Sequence, residues 1–175
     1  MTRRHIHYEA AFEDMLRSTG TPYVAVDEAK RAIFAGAKIG SFDFLVYAPN
    51  GTRFFVDIKG RKFPYDTRGG RRYWENWVPR EDLDNMSCWD EVFDDDGFVG
   101  LLVFAYWLLG PEGRWPIEES EVHPFRGEHY AFLAVTLADY RAHCKLRSTQ
   151  WDTVSVASAT FRKLTVPVNR LLNGS

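Results

Sequence analysis

The sequence has few cysteines, no long hydrophobic run and no excess of charge of one sign. Cys88 and Cys144 stand alone, without a CxxC or a Cys/His spacing for zinc, and this usage favours a reducing cytoplasm. The N-terminal residues lack the apolar run of a signal peptide, and the longest apolar run, residues 98–109, is too short to span a bilayer as a helix. The formal net charge of -2 indicates no polyanion partner. We therefore expect a cytoplasmic protein with no membrane association, in which any anion-binding surface is local.

The length and composition of the chain are typical of a folded globular protein. The chain has 175 residues, of which 45% are hydrophobic, enough for one domain, residues 1–175, with a substantial core. Periodicity and turn residues predict helices at 7–19, 81–93, 137–146 and 168–172, and strands at 21–26, 42–47, 54–59, 98–109, 129–135 and 153–158. We expect the strand at 98–109 to be central and buried on both faces, and the strand at 153–158 to lie at an edge. Loops are expected at 35–40 and 110–128, and Thr136 is expected to cap the helix that follows it. This order predicts an α/β (α+β) fold with a central mixed sheet flanked by helices.

Residues 40–62 contain two strands joined by a tight turn, and the length of the turn decides which charged residues meet. A two-residue turn at Asn50-Gly51 would set Asp43 opposite Ile58, whereas a three-residue loop that includes Pro49 sets Asp43 opposite Asp57. The longer loop suits its residues, because proline presets φ at the first position, asparagine tolerates the second and glycine takes the left-handed third. It also keeps six apolar residues on one face: Phe42, Phe44, Val46, Phe54, Val56 and Ile58. We therefore predict that Asp43 and Asp57 are neighbours.

Two carboxylates side by side on a hairpin repel each other and require a compensating cation. Lys59 lies on the same face as Asp57 and supplies part of that charge. A hard divalent ion such as Mg²⁺, which prefers carboxylates and water, would supply more. The same face also carries Leu45 and Phe55, so we expect a half-buried acidic pair, which is typical of functional sites. The alternative is an ordinary hairpin whose polar face lies in water.

The next segment is basic and aromatic. From Arg53 to Arg80 there are eight basic residues against three acidic ones. Within the basic-aromatic segment, residues 60–80, we predict seven nucleic-acid contacts: Arg61, Lys62, Arg68, Arg71, Arg72, Trp74 and Trp77. The alternative is a loop that packs its tryptophans against its own domain. Residues 81–96 then hold eight acidic residues, which we interpret as a solvated helix face and not as a second metal cluster.

The first predicted helix carries Glu9 and Glu13 on one face. Taken alone, glutamates in a first turn interact favourably with the helix dipole and point to water. Together with Phe42-Asp43 and Asp57-Ile58-Lys59, however, Glu9 makes residues 5–62 resemble the PD-(D/E)xK nuclease superfamily, most of all its archaeal Holliday-junction-resolvase type. Phenylalanine stands for the proline of that signature, and aspartate for its usual glutamate. Residues 7–13 also match the motif of a bacterial family named HYExAFE, which implies no particular activity.

The resemblance implies a restriction-endonuclease-like core and a metal-dependent endonuclease that acts on DNA, with branched or damaged DNA as candidate substrates. It implies that Asp43, Asp57 and the carbonyl of Ile58 hold Mg²⁺ or Mn²⁺ and that Glu9 completes the site. Lys59 would orient or deprotonate the attacking water, or stabilise charge on the phosphate. DNA is the expected partner, and a homodimer is one arrangement that would cut both strands. The alternative is a non-catalytic nuclease-fold protein that binds nucleic acid or a protein partner.

Overall fold

The computed structural model describes residues 3–26, 32–34 and 37–173. Within these ranges the helices are α1 (Arg3–Ser18), α2 (Arg80–Val92), α3 (Leu137–His143), α4 (Ser158–Leu164) and α5 (Val168–Asn173). The strands are β1 (Tyr23–Ala25), β2 (Ala32–Phe34), β3 (Ala37–Ile39), β4 (Phe44–Tyr47), β5 (Arg53–Phe63), β6 (Tyr65–Thr67), β7 (Gly70–Arg72), β8 (Val78–Pro79), β9 (Phe98–Leu108), β10 (His123–Phe125), β11 (Glu128–Thr136), β12 (Lys145–Ser148), β13 (Thr153–Ser155) and β14 (Val166–Pro167). No helix in the described ranges is long and apolar enough to cross a membrane.

A seven-stranded mixed sheet organises the domain. Six of its strands lie in the order β1-β4-β5-β9-β11-β10, and β14 pairs with β11. The central strand β9 runs parallel to β5 and antiparallel to β11. A parallel pair needs a long crossover, and α2 lies in the connection from β5 to β9. The prediction of a central strand at residues 98–109, buried on both faces, is confirmed, and the predicted cap of α3 is present, since the amide of Asp139 donates to Thr136 Oγ1 at 3.1 Å.

The hairpin of β4 and β5 has the predicted register. The amide of Ala48 donates to the carbonyl of Thr52 at 2.9 Å across the three-residue loop. Gly51 takes a left-handed φ of 88°, as the longer loop requires. Phe44 lies opposite Val56 in the last pair of this ladder, so the predicted pair of Asp43 with Asp57 lies beyond it. Local turn chemistry therefore set the alignment of the two strands.

The hairpin ladder ends in a bulge at Asp43. The amide of Asp43 donates to the carbonyl of Val56 at 2.9 Å, which is the partner that the register assigns to Phe44. An extra residue of this kind bends the strand and turns the preceding side chains to the other face. Phe42 accordingly packs on the face opposite to Phe44. The expectation that Phe42 shares a face with Phe44 is therefore wrong.

Two apolar clusters cover the two faces of the sheet. On one face α1 and α5 pack against β4, β5 and β9 through residues that include Phe12, Leu16 and Leu172. On the other face α2, α3 and α4 supply residues that include Leu83 and Phe161. Successive residues of β5 alternate between these clusters, since Phe54 belongs to the first and Phe55 to the second. Asp57 and Lys59 follow Phe55 by two and four residues, and they point toward α2.

Other elements differ from the sequence-based expectations. Residues 37–39, part of the loop predicted at 35–40, form β3 and pair with β2, and residues 35–36 of that loop lie outside the described residues. The strand at 153–155 is central in a small sheet of order β12-β13-β8, because β12 and β8 pair on either side of it. Alternation reports burial on one face but says nothing about the number of partners. Neither β12 nor α4 was predicted, because each is short and mostly exposed.

Candidate active site

Asp43 lies where β4 and β5 separate, and its side chain replaces a missing main-chain partner. Its carboxylate Oδ2 accepts a hydrogen bond from the amide of Ile58 at 2.6 Å, and the side chain is buried, with 6% of its surface exposed. In a continuous ladder a carbonyl of β4 would accept that bond, but the bulge has turned the strand away. The fold tolerates this buried aspartate because a main-chain amide donates a hydrogen bond to it.

The carbonyl of Ile58 points into the same gap. Main-chain groups of alternate residues on a strand point to the same side, and the carbonyl of Val56 points toward β4, where it accepts from Asp43. The carbonyl of Ile58 therefore faces the space that opens beyond Asp43. A carboxylate and a main-chain carbonyl thus lie together at the point where the strands diverge.

Lys59 bridges two carboxylates. Its ammonium Nζ lies 2.7 Å from Asp57 Oδ2 and also contacts Asp82 Oδ2 at the start of α2. The side chains of Lys59 and Asp57 are 12% and 14% exposed, so water screens this pair poorly. Burial alone would lower the pKa of Lys59, but the charges of Asp57 and Asp82 outweigh it and raise that pKa above its usual value. Lys59 is therefore a fixed positive charge at neutral pH.

Asp82 is a site residue that the sequence interpretation missed. It belongs to the acidic run at 81–96, which we expected to be a solvated helix face, and its side chain is 35% exposed. Nothing in the spacing distinguishes it from its acidic neighbours. The contact with Lys59 joins residues 23 positions apart, and only the packing of α2 on β5 creates it.

Glu9 approaches from the other face of the sheet. Its neighbour Tyr8 packs directly over Gly60, whereas Asp57 and Lys59 point toward α2. In the described part of the chain no three His, Cys, Asp or Glu side chains are grouped closely enough to hold a metal ion, so Glu9 does not complete such a group with the two aspartates. Glu13, the alternative candidate, accepts hydrogen bonds from Arg17 at 3.0 Å and Tyr23 at 2.7 Å.

The oxygen donors of the predicted ligand set have the chemistry that a small, hard cation prefers. Mg²⁺ and similar ions are commonly held by one or two carboxylates and keep several waters. Asp43, Asp57 and the carbonyl of Ile58 provide oxygen donors of that kind. A carboxylate has about four lone-pair sites, so the bond from the Ile58 amide does not exhaust the acceptor capacity of Asp43. The chemistry of these oxygen donors therefore suits a divalent cation.

Comparison with solved structures identifies the fold. The chain is similar to Hjc from Archaeoglobus fulgidus, a Holliday junction resolvase from an archaeal hyperthermophile, with a TM-score of 0.52 and 10% identity over 95% of this chain and 98% of that chain. The fold is that of a Holliday junction resolvase. The α+β class predicted from the sequence is thus confirmed. No family model and no curated protein matches the sequence, so the HYExAFE resemblance stays a prediction.

Arg61 departs from the predicted role of an exposed phosphate contact. It is buried, at 9% exposure, and its guanidinium lies 4.0 Å from the centroid of the Trp77 ring. It donates to the carbonyl of Gly60 at 2.7 Å and to that of Trp77. Burial lowers the pKa of this guanidinium, and its Nε has no hydrogen-bond partner among the described residues. Arg61 therefore holds the basic-aromatic segment against β5.

The remaining predicted contacts fall into two groups. Trp74 packs edge-to-face on Phe63 and Tyr106, at centroid distances of 4.7 and 5.5 Å, and Trp77 is covered by Arg61. These positions favour the alternative in which the tryptophans pack within their own domain. The other four side chains are exposed, on β5 or on the β6–β7 hairpin: Lys62, Arg68, Arg71 and Arg72. Only this second group presents charge to solvent.

Proposed function

We propose that the protein is a metal-dependent endonuclease that hydrolyses phosphodiester bonds of branched or damaged DNA. The observation that carries the proposal is the hydrogen bond from the Ile58 amide to the buried Asp43 carboxylate, beside the Asp57–Lys59 ion pair on the same strand, in a fold similar to that of a Holliday junction resolvase. The PD-(D/E)xK resemblance of the sequence assigns catalysis to the same residues. Fold and residue chemistry thus support one reaction class.

In this proposal Asp43, Asp57 and the carbonyl of Ile58 hold Mg²⁺ or Mn²⁺. A divalent cation at this position supplies Lewis-acid stabilisation of phosphate charge and lowers the pKa of bound water. Lys59, held by Asp57 and Asp82, presents a preoriented positive charge to a phosphate oxygen or to the attacking water. Glu9 lies on α1 across the sheet, so it is not counted among the residues that hold the cation.

Exposed basic side chains follow the candidate active site in the sequence and could contact DNA next to it. Lys62 follows Lys59 by three residues on β5, and three arginines lie on or beside the β6–β7 hairpin: Arg68, Arg71 and Arg72. Arg71 pairs with Asp66 at 3.2 Å, but both side chains are more than 60% exposed, so a phosphate can compete for this arginine. We propose that these four side chains position the DNA backbone.

The test is cleavage of four-way-junction, single-stranded and plasmid DNA by the purified chain with Mg²⁺ or Mn²⁺. Asp57→Asn is expected to lower the cleavage rate by about 100-fold or more, because it removes a metal ligand without changing the side-chain volume. Asp90→Asn is the matched control, since this exposed aspartate near the end of α2 lies outside the proposed site, and its rate is expected to stay at the wild-type level. Cleavage that persists in Asp57→Asn would refute the site.

A second candidate function is DNA or protein binding without catalysis. It is favoured by the ammonium of Lys59, which already pairs with both Asp57 and Asp82, and by the lack of a three-residue metal cluster in the described part of the chain. Calorimetric titration with Mn²⁺ separates the two functions. The endonuclease proposal expects binding that Asp43→Asn weakens and Asp90→Asn does not, and absence of binding to the wild-type chain favours the second function. Asp43→Asn retains an acceptor for the Ile58 amide, so the fold is expected to survive.

A further inference from the structure

A large cleft lies beyond the candidate active site, at the end of β5. Its volume is about 1060 Å³, at the upper limit of the ~300–1,000 Å³ usual for small-molecule pockets. Lys62 and Trp107 contribute from the central sheet, and Arg147 and Trp151 from β12 and the turn that follows it. Tyr65 lines it from the start of the β6–β7 hairpin. We call this space the Trp151 cleft.

The charge of the Trp151 cleft is positive. Three permanent cations line it, namely Arg61, Lys62 and Arg147, against the single carboxylate of Glu75. Lys62 and Arg147 are exposed, whereas Arg61 is buried beneath them against Trp77. The positive charge arises locally, because the whole chain has a net charge of -2. An anionic ligand therefore suits this cleft better than a neutral or cationic one.

The aromatic residues of the cleft differ in how far neighbouring side chains cover or bond them. Trp77 is covered by Arg61, and Trp107 donates its indole N–H to Glu128 at 2.9 Å. Trp151 is 71% exposed, the largest value among the exposed large hydrophobic side chains of the described residues. Because the fold does not cover its ring, that ring is available to stack on a flat ligand. Cationic side chains beside an uncovered aromatic ring are the combination with which proteins bind unpaired nucleotides.

We propose that the Trp151 cleft binds an unpaired nucleotide of the DNA substrate, with its base stacked on Trp151 and its phosphates facing Lys62 and Arg147. Bases inside a duplex are already stacked on their neighbours, so only an unpaired base offers a free face to this ring. The proposal rests on the proposed function, and it narrows the substrate to DNA with single-stranded character next to the cleavage point.

The position of the cleft fits this substrate. Lys62 lies three residues beyond Lys59 on the same strand, which corresponds to about 10 Å at a rise of about 3.3 Å per residue. A stacked DNA strand advances about 3.4 Å per nucleotide, so the unpaired base lies within about three nucleotides of the scissile phosphate. Because Lys59 and Lys62 project from opposite faces of β5, a DNA strand that contacts both the candidate active site and the cleft passes around the end of the sheet.

The test measures DNA binding by the full chain in EDTA, where binding is independent of cleavage. The probes are a single strand, a duplex, and a duplex with a single-stranded flap that carries 2-aminopurine. Trp151→Leu is expected to weaken binding to the flap and the single strand by about 5-fold to 100-fold and to abolish quenching of 2-aminopurine, with little change for the duplex. Trp151→Phe is expected to retain much of the affinity because it keeps an aromatic face.

Leu146→Ala is the control, because Leu146 lies on the same hairpin, is 54% exposed and does not line the cleft. For the phosphate contact, Lys62→Gln is expected to reduce the slope of log K against log salt by about 0.7, whereas Lys163→Gln on α4 leaves it unchanged. Wild-type affinity for the flap in Trp151→Leu, or an equal loss for flap and duplex, overturns the proposal. If Asp57→Asn abolishes cleavage but Trp151→Leu does not weaken flap binding, the proposed function is supported and the nucleotide-binding cleft is not. If Trp151→Leu weakens flap binding but the wild-type chain does not cleave DNA, the nucleotide-binding cleft is supported and the proposed function is not.

Discussion

The contact between Gly60 and Tyr8 predicts that a single methyl group destabilises the fold. A Cβ added at Gly60 would lie 2.1 Å from Cδ2 of Tyr8, whereas carbon atoms in contact are about 3.5–4.0 Å apart. The ring must therefore move by about 1.4 Å to reach the near edge of that contact range. Tyr8 is 8% exposed and lies edge-to-face on Tyr130 at 6.2 Å, so it has little room to move. Overpacking of this kind costs about 1–3 kcal/mol.

Urea unfolding of Gly60→Ala followed by circular dichroism measures this cost as a lower free energy of unfolding. Gly69→Ala is the control, because its nearest atom is Thr67 Oγ1 at 3.8 Å, and it is expected to change stability by less than about 0.5 kcal/mol. In a Tyr8→Ala background the space is vacant, so Gly60→Ala is expected to be neutral or stabilising by up to about 1 kcal/mol. An equal cost of Gly60→Ala in both backgrounds, or no cost in the wild type, would refute the steric reasoning.

Three further predictions test other parts of the structure. Lys59→Met leaves Asp57 and Asp82 unneutralised and is expected to cost about 3 kcal/mol in urea unfolding at pH 7, the low end for a broken buried pair, since Asp82 is 35% exposed; a wild-type midpoint would contradict this. Thr136→Ala removes the cap of α3 and is expected to lower the free energy of unfolding by about 1 kcal/mol. Thr136→Ser keeps the acceptor oxygen and is expected to retain most of that stability. Burial, followed by the neighbouring Tyr130, raises the pKa of Tyr8 from 10.0 to about 12, so its neutral form contributes stability that is complete below pH 10 and lost as the pH rises to about 12. Tyr8→Phe is therefore expected to lose less stability than the wild type between these pH values, and identical slopes would contradict the assignment.

The hairpin shows how far local chemistry reaches. The residues Pro49-Asn50-Gly51 fixed a three-residue loop, and that loop fixed the pairing of Ala48 with Thr52 and the register as far as Phe44 and Val56. The buried strand β9 was likewise predictable, because a continuous apolar run without alternation suits a strand covered on both faces. Each of these inferences depends on residues within about ten positions of one another or on a single periodicity.

The bulge at Asp43 marks the first limit of such inference. No local signal distinguishes a continuous ladder from one in which the carboxylate of Asp43 takes the amide of Ile58, and Phe42 was therefore assigned to the wrong face. Divergence of the strands depends on how β4 packs against β1, where the amide of Val26 bonds to the carbonyl of Asp43 at 2.9 Å. That packing involves residues far outside the hairpin.

The sequence by itself determined the hairpin register, the buried central strand and the placing of Asp57 and Lys59 on one face, because turn geometry and hydrophobic pattern are local. Only the tertiary structure decided that Asp82 joins Lys59 from α2, that Arg61 is buried on Trp77, and that Glu9 approaches from the opposite face of the sheet. It also brought Lys62 and Trp151, which are far apart in sequence, into one cleft. These contacts depend on which helix or hairpin covers which end of β5, and periodicity within a segment carries no information about that choice.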